Sequence, residues 1–388
     1  MSNGKYVANF VAATAIAAAL SSCSAGNEGA FSSENGSTAK TTAALGSVNP
    51  EIFGTTRTME ALGIQAVGST DPQVIGGSPA SVGEWPWQVN LEQLPDPTSY
   101  YDDEVFPHFC GGSIISEKCV VTAAHCVLGT AANTLLVRVG ETQRSPAPDE
   151  NIQVRGVKQI TIHPLYTSSN SYLQGNDMAL LELNERLKFT SRIRPIAMAT
   201  VSPAVDSSPW LTGWGRTVGS VLTQTDDLME VQLPVHPAET CNDKFAEYGV
   251  GSYVNDNMIC LGTDNGSVAS CNGDSGGPLA YKLNDRTGWT LAGIVSWGLT
   301  GCISYSVHTR VSTYESWARG IVPLAYKTGD VNRDGCVTSA DATLVRAYLN
   351  SPPPADNVLI DVNNDGLVTA ADYTMVAAHI ESACTPSP

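Results

Sequence analysis

Basic residues are scarce in this chain. Twenty-one Lys and Arg stand against 38 Asp and Glu, a formal net charge of −17. The clustered positive charge that neutralises nucleic-acid phosphates is therefore lacking, and no nucleic-acid partner is expected. Acidity itself favours solubility and says little about substrate. The N-terminus also lacks a run long enough to cross a membrane. One positive charge, Lys5, precedes an Ala-rich stretch over residues 7–20, short of the roughly 20 apolar residues a spanning helix needs. It reads as the core of a signal peptide, over residues 1–22. Residues 24 to about 50 are poor in large apolar side chains and rich in Ser, Gly, Thr, Ala and Asn, the composition of a flexible tether. The 388 residues leave room for two or three domains, one with a sizeable core.

The apolar stretch ends in Leu20-Ser-Ser-Cys23. This resembles a bacterial lipobox, in which Cys23 is lipidated and anchors the protein to a membrane surface. The alternative is an ordinary signal peptide cut after a small residue such as Ala25. Either way the chain is expected to be secreted or held at the cell envelope. Ten cysteines point to an oxidising compartment.

The chemistry is concentrated in Cys271-Asn-Gly-Asp-Ser-Gly-Gly-Pro278. Ser275 stands between glycines, which allow a tight turn with N–H groups facing outward. A hydroxyl there can attack a carbonyl while those N–H groups hold the oxyanion. Serine is a poor nucleophile at neutral pH. It needs a base, and the base needs an acid that fixes its tautomer. Thr122-Ala-Ala-His125-Cys126 offers the base and Gly175-Asn-Asp177-Met-Ala-Leu-Leu181 the acid, in the chain order His, Asp, Ser. Each string alone fits a buried histidine or a turn; all three in order do not.

With these strings the chain resembles the chymotrypsin-like, or trypsin-family, serine proteases over residues 74 to about 320. Further landmarks are Val74-Ile-Gly-Gly77, Trp85-Pro-Trp-Gln88, Cys110-Gly-Gly-Ser113, Gly213-Trp-Gly215 and Val295-Ser-Trp-Gly298. Short Val/Ile/Leu/Trp runs between Gly, Pro, Asn and Asp suit a sandwich or barrel. The resemblance selects an all-β fold of two antiparallel six-stranded barrels, with the site between them and a closing helix near residues 311–324. It implies His125, Asp177 and Ser275 as catalytic triad, with Gly273 and Ser275 N–H as oxyanion hole. Ser296, Trp297 and Gly298 would form the wall that pairs with an extended peptide substrate. It also implies disulfides Cys110–Cys126, Cys241–Cys260 and Cys271–Cys302. Cys336 and Cys384 are left to pair outside the protease, and Cys119 reads as a buried free thiol. The catalysis needs no cofactor.

Two positions depart from the family pattern. Gln73, not Arg or Lys, precedes Val74. Cleavage there would free the Val74 ammonium to pair with Asp274, so a zymogen is expected, activated by an enzyme without trypsin-like specificity. Ala269 stands where trypsins carry aspartate. With Gly298 and Ser306 as the other pocket positions, no anion awaits a basic side chain. An apolar residue before the scissile bond (P1) is expected, with chymotrypsin-like and elastase-like choice both open. A loop carboxylate such as Asp264 is the group that would reverse this.

After Tyr326 a twelve-residue pattern occurs twice, Asp330 to Asp341 and Asp361 to Asp372. Oxygen side chains fall at positions 1, 3, 5 and 12, with Gly at 6, the ligand plan of an EF-hand calcium loop. The expected ligands are Asp330, Asn332, Asp334, Cys336 through its carbonyl and Asp341; then Asp361, Asn363, Asp365, Leu367 through its carbonyl and Asp372. Apolar spacing predicts a helix after each loop, over 340–349 and 370–380. The doublet resembles a dockerin type I module, which implies two calcium ions and a cohesin-like docking partner. The expected layout is tether and propeptide over 23–73, protease over 74–325 and dockerin-like α-helical domain over 326–388. A protein of different class, a catalytically silent adhesion or scaffold protein on the same two folds, is the alternative.

Overall fold

A computed structural model describes residues 75–94, 108–145, 149–168, 171–216, 224–282, 288–322 and 325–384. Cys23 and Val74 therefore lie outside the described residues. The first β unit is a closed barrel of six strands: β2 (Gln88–Gln93), β3 (His108–Ser116), β4 (Cys119–Thr122), β5 (Leu135–Val139), β6 (Gln153–Ile162) and β7 (Ala179–Leu183). Its order is β2-β3-β4-β7-β6-β5, every described pairing antiparallel. Closure removes the exposed sheet edge. Alternation in Leu135–Val139 turns Leu135, Val137 and Val139 inward, as the two-residue period of a strand requires.

The second β unit is a curled nine-stranded sheet. It comprises β1 (Ser78–Pro79), β8 (Ala197–Met198), β9 (Trp210–Gly213), β10 (Met229–Gln232), β11 (Val235–His236), β12 (Met258–Leu261), β13 (Pro278–Tyr281), β14 (Thr290–Gly298) and β15 (Ser306–Arg310). The path runs β1-β10-β9-β13-β14-β15-β12-β11, with β8 parallel to β14. Among the described pairings it does not close, because β1 and β11 are its ends. Among the described residues three α-helices accompany the β units: α1 (Ala124–Val127), α2 (Ala238–Glu247) and α3 (Val311–Ile321). The last is the expected closing helix, and buries Val311, Tyr314 and Ala318.

The C-terminal unit holds α4 (Ser339–Ala347) and α5 (Ala370–Ala378) around Val331, Val337, Val345, Leu359, Ile360, Val368 and Val376. Each helix begins with a capping box: Thr338 with Asp341, and Thr369 with Asp372. The Thr oxygen and the acid three residues on satisfy backbone N–H groups that the first turn leaves unpaired. This unit is docked on the first β unit. Phe189 packs against its core, Tyr326 N donates to Ile115 O at 2.7 Å, and Arg333 lies 3.5 Å from Glu117. Arg194, only 5 % exposed, reaches the back of the second loop. It donates to Asn364 Oδ1 at 2.6 Å and Asp361 O at 2.5 Å.

The four described disulfides are Cys110–Cys126, Cys241–Cys260, Cys271–Cys302 and Cys336–Cys384. Cys119 corrects the sequence reading. It is fully buried but disulfide-bonded rather than free.

Candidate active site

His125 sits in the first turn of α1, directly after β4. Asp177 precedes β7, the neighbour of β4 in the barrel, so the sheet itself brings base and acid together. Asn176 turns the chain there in a left-handed conformation (φ 63°). Tyr314 of α3 holds the turn, accepting from Asn176 N at 2.7 Å and donating to Asn176 Oδ1 at 3.1 Å.

Asp177 is fully buried and accepts three hydrogen bonds. His125 Nδ1 donates to Oδ2 at 2.7 Å and His125 N to Oδ1 at 2.9 Å. Ser296 Oγ donates to Oδ2 at 2.5 Å. Thr309 Oγ1 also ties the Asp177 carbonyl at 2.9 Å. The carboxylate thus receives the donors a buried charge requires. Burial alone disfavours the protonated ring of His125, but the Asp177 charge and its hydrogen bond outweigh that and raise the His125 pKa above its ordinary value. Nδ1 bonded to a carboxylate leaves Nε2 free to take a proton.

Ser296 was read only as a backbone contributor, and the structure adds a side-chain role. The β14–β15 register slips between Val295 and Trp297. Val295 faces His308 and Trp297 faces Val307, so Ser296 is the extra residue of a bulge. The bulge re-aims its hydroxyl at Asp177.

The nucleophile loop is folded by its own backbone. Asp274 N donates to Cys271 O at 3.0 Å, Gly277 N to Asp274 O at 2.8 Å, and Gly276 N to Val295 O at 2.9 Å. Gly111 N donates to Ser275 O at 2.7 Å, which fastens the loop to the first barrel. Gly276 must be glycine: its φ is +76°, and a Cβ would lie 2.7 Å from Gly111 O and 3.1 Å from Ala123 N. His108, buried between the barrels, donates from Nε2 to Gly273 O at 2.8 Å and pairs through Nδ1 with Asn90 Oδ1 at 2.8 Å. That fixes the Gly273–Asp274 peptide. Among the described residues the N–H groups of Gly273 and Ser275 donate to nothing. Ser275 Oγ makes no hydrogen bond to His125 Nε2 among them either; such contacts are often loose before substrate binds.

Asp274 is fully buried. It accepts from Gly215 N and Cys271 N, both at 2.8 Å. No cation faces it among the described residues, and burial pushes its pKa to about 7 against those two bonds.

Ala269 and Ser306 are fully buried, and Gly298 pairs with Ser306 across β14 and β15. Asp264 does not reach the pocket residues by any described bond. It is exposed and bonded to Lys244 Nζ at 2.8 Å. Trp297 is buried against Phe245. Ser270 and His308, which the sequence reading passed over, complete the surroundings of Ser306. No sequence signal marks them, because their meeting depends on strand register.

The two C-terminal loops repeat each other's bonds. Asp330 accepts from Asp334 N and Gly335 N, and Asp361 from Asp365 N and Gly366 N. Gly335 and Gly366 have φ of 87° and 92°, the turn that position 6 demands. Asp330, Asp341, Asp361 and Asp372 are each 3 % exposed or less. Burial raises the Asp330 pKa to about 6, and the charges of Asp341 and Asp334 add to it. Carboxylates gathered and desolvated in this way suit a hard cation, so the donor set fits calcium.

The family profile of the Trypsin domain matches residues 74–318, and that of the Dockerin type I domain residues 328–381. The chain is 34 % identical over 262 residues to the serine proteinase stubble of Drosophila melanogaster, covering 66 % of this chain and 32 % of that protein. It is 32 % identical over 270 residues to the Limulus clotting factor C of Carcinoscorpius rotundicauda, covering 65 % and 25 %. The chain thus spans about a third or less of the length of these relatives. With the profile match covering most of its length, it belongs to the trypsin family of serine proteases and carries a C-terminal dockerin type I domain.

Proposed function

We propose that the protein is an exported serine endopeptidase. Ser275 Oγ attacks the scissile carbonyl carbon, and His125 Nε2 takes its proton. The tetrahedral oxyanion is held by the N–H groups of Gly273 and Ser275, each worth about 2.7–4 kcal/mol in related chemistry. His125 then returns the proton to the leaving amine, and water releases the acyl group by the same steps in reverse. Asp177 keeps the imidazole in the right tautomer and stabilises its charged form. Ser296, Trp297 and Gly298 supply the wall along which an extended peptide lies. The observation that carries the reading is the buried Asp177 accepting from the backbone N and ring Nδ1 of His125 and from Ser296 Oγ.

The precursor is cut between Gln73 and Val74. The new ammonium then pairs with Asp274, a buried acid with no other cation near it among the described residues. Arg and Lys are poor P1 residues, because Ala269, Gly298 and Ser306 offer no anion and Asp264 is engaged by Lys244. An apolar P1 stem suits this pocket, burying surface at about 25 cal/mol per Å². In the C-terminal domain Asp330, Asn332, Asp334, Asp341 and the Cys336 carbonyl would hold one calcium ion. Asp361, Asn363, Asp365, Asp372 and the Leu367 carbonyl would hold a second. That domain docks to a cohesin-like partner. Among the described residues no helix is long and apolar enough to cross a membrane.

N-terminal sequencing of the active species, combined with cleavage of a peptide library, tests the proposal. An active enzyme beginning elsewhere than Val74 removes the activation step. No cleavage by a species that does begin at Val74 removes the enzyme.

A further inference from the structure

On β2, Val89 and Leu91 belong to the barrel core, so Asn90 and Glu92 leave the opposite face together. Both are buried there, as are Glu141 and His108. β5 pairs with β2, Arg138 opposite Asn90, which brings Glu141, just beyond the end of β5, to the same place. A chain of hydrogen-bond contacts results. Asn90 Nδ2 lies 2.7 Å from Glu141 Oε1 and 3.2 Å from Glu92 Oε1. Asn90 Oδ1 lies 2.8 Å from His108 Nδ1, and His108 Nε2 lies 2.8 Å from Gly273 O. Two cations face this chain. Arg138 Nε is 3.0 Å from Glu92 Oε1 and 3.5 Å from Glu141 Oε2. Arg144, with Asp226 beside it, acts on both glutamates and on His108.

The protons in such a chain can be counted, because Gly273 O and an ionised carboxylate only accept. A neutral imidazole has one N–H. Kept on Nε2 for Gly273 O, it leaves Nδ1 as an acceptor that needs a donor from Asn90. The amide must then turn its nitrogen to His108 and its oxygen to Glu141, where only a protonated carboxyl can donate. With the amide oxygen toward His108 instead, both ring nitrogens must donate and the ring must be charged. Either arrangement holds one proton more than a neutral ring and two carboxylates. Burial drives the His108 ring down to about 4 and the Glu141 carboxyl up to about 7, so the extra proton belongs on Glu141. Glu92 keeps Arg138 as its direct ionic partner. Without the extra proton one contact must fail. The least costly failure moves the ring proton to Nδ1, where Asn90 Oδ1 accepts it while Asn90 Nδ2 serves both carboxylates. Gly273 O is then left against the lone pair of Nε2.

We propose that Glu141, Asn90 and His108 are positioning residues for the oxyanion hole, holding Gly273 through one shared proton whose loss at alkaline pH releases it. They touch no substrate and act only through the Gly273 carbonyl. This rests on the serine-protease reading of Ser275. A raised carboxyl keeps its proton below its shifted pKa and loses it as pH rises through that value. Activity therefore falls on the alkaline side, above about pH 7. The loss belongs to kcat rather than KM, because the oxyanion forms only on the way to the tetrahedral intermediate.

The test uses the full chain after cleavage at Gln73–Val74, with active sites counted by a fluorophosphonate label. Kinetics on one peptide substrate give kcat and KM from about pH 6 to about pH 10. Loss of the Val74 ammonium would also lower activity at high pH, so the variants carry the decision. Glu141→Gln puts a permanent amide donor where the carboxyl proton stood. It should move the alkaline limb of kcat up by at least about one pH unit, about tenfold in kcat on the falling limb, with KM little changed. Arg138→Gln alters a partly exposed side chain and removes a charge that lowers the Glu141 pKa. It should move the limb the same way while Glu141 is present, and have no such effect in the Glu141→Gln background. A limb that stays in place in Glu141→Gln overturns the proposal. Should that variant not fold, an unmoved limb in Arg138→Gln overturns it instead. Failure of the parent to label at all would sink the serine-protease reading beneath it.

Discussion

The buried acid beside the nucleophile gives the most quantitative prediction. In the uncut chain Asp274 is fully enclosed, and its carboxyl is raised from 3.8 to about 7 by burial. A raised acid pKa means the folded state holds a proton that the unfolded state has already lost. The penalty is absent below the unfolded pKa, grows as pH rises from about 4 to 7, and is constant above. At 1.36 kcal/mol per unit, two pH units between 5 and 7 amount to about 3 kcal/mol. On the proposed activation the Val74 ammonium would supply the missing charge after cleavage, and the penalty should vanish. The assay is urea unfolding of the inactive Ser275→Ala protein, uncut and cut at Gln73–Val74, followed by tryptophan fluorescence at fixed calcium. Glu141 is also raised to about 7. The informative quantity is therefore the difference between each protein and its Asp274→Asn counterpart. In the uncut pair the parent should lose about 3 kcal/mol relative to Asp274→Asn between pH 5 and 7; in the cut pair it should not. A difference that is flat with pH in the uncut pair, or equally steep in both, would refute the reasoning.

Other outcomes follow from the same geometry. Ser275→Ala and His125→Ala should each reduce kcat at least about 10⁴-fold without loss of fold, since triad members act as a unit; circular dichroism and peptide hydrolysis together check this. Ser296→Ala removes one bond to a buried charge, about 1.5–3 kcal/mol, and should lower kcat by one to two orders of magnitude with KM little changed. The pH profile of kcat/KM should fall on the acid side with an apparent pKa above 6.5, because His125 must be neutral to act and its pKa is raised; an acid limb centred below 6.5 would contradict the Asp177 pairing. Chelating calcium from the full chain should lower its melting temperature and its helical signal. At 100 times the dissociation constant each site contributes about 2.7 kcal/mol. Arg194→Ala should leave calcium affinity of the first loop intact while loosening the docked unit, seen as faster hydrogen exchange around Asp361 and Asn364.

The parts legible in the sequence are those whose chemistry is local. Cys271 to Pro278 announces its turn because glycines at 273 and 276 serve a backbone that other residues strain to adopt. The calcium loops announce themselves because ligands alternate within twelve residues. Even their capping boxes, Thr338 with Asp341 and Thr369 with Asp372, are readable at a spacing of three. What the sequence hides is set by register and docking. Ser296 reaches Asp177 only because a bulge displaces it. Ser270 meets His308 only because β15 lies between β12 and β14. Arg194 looks like a surface residue until the second calcium loop covers it. The closed first barrel and the open curl of the second sheet share one strand vocabulary, and only pairing separates them. Cys119 misled for a related reason: a lone cysteine inside an apolar strand carries no sign of where its partner stands.

The central claim is that Ser275 is a nucleophile activated by His125. Mass spectrometry of the cut protein after reaction with a fluorophosphonate tests it most directly. The account predicts one adduct, on the peptide containing Ser275, formed rapidly and lost in His125→Ala. No adduct on that peptide, or one that forms as readily without His125, would contradict it.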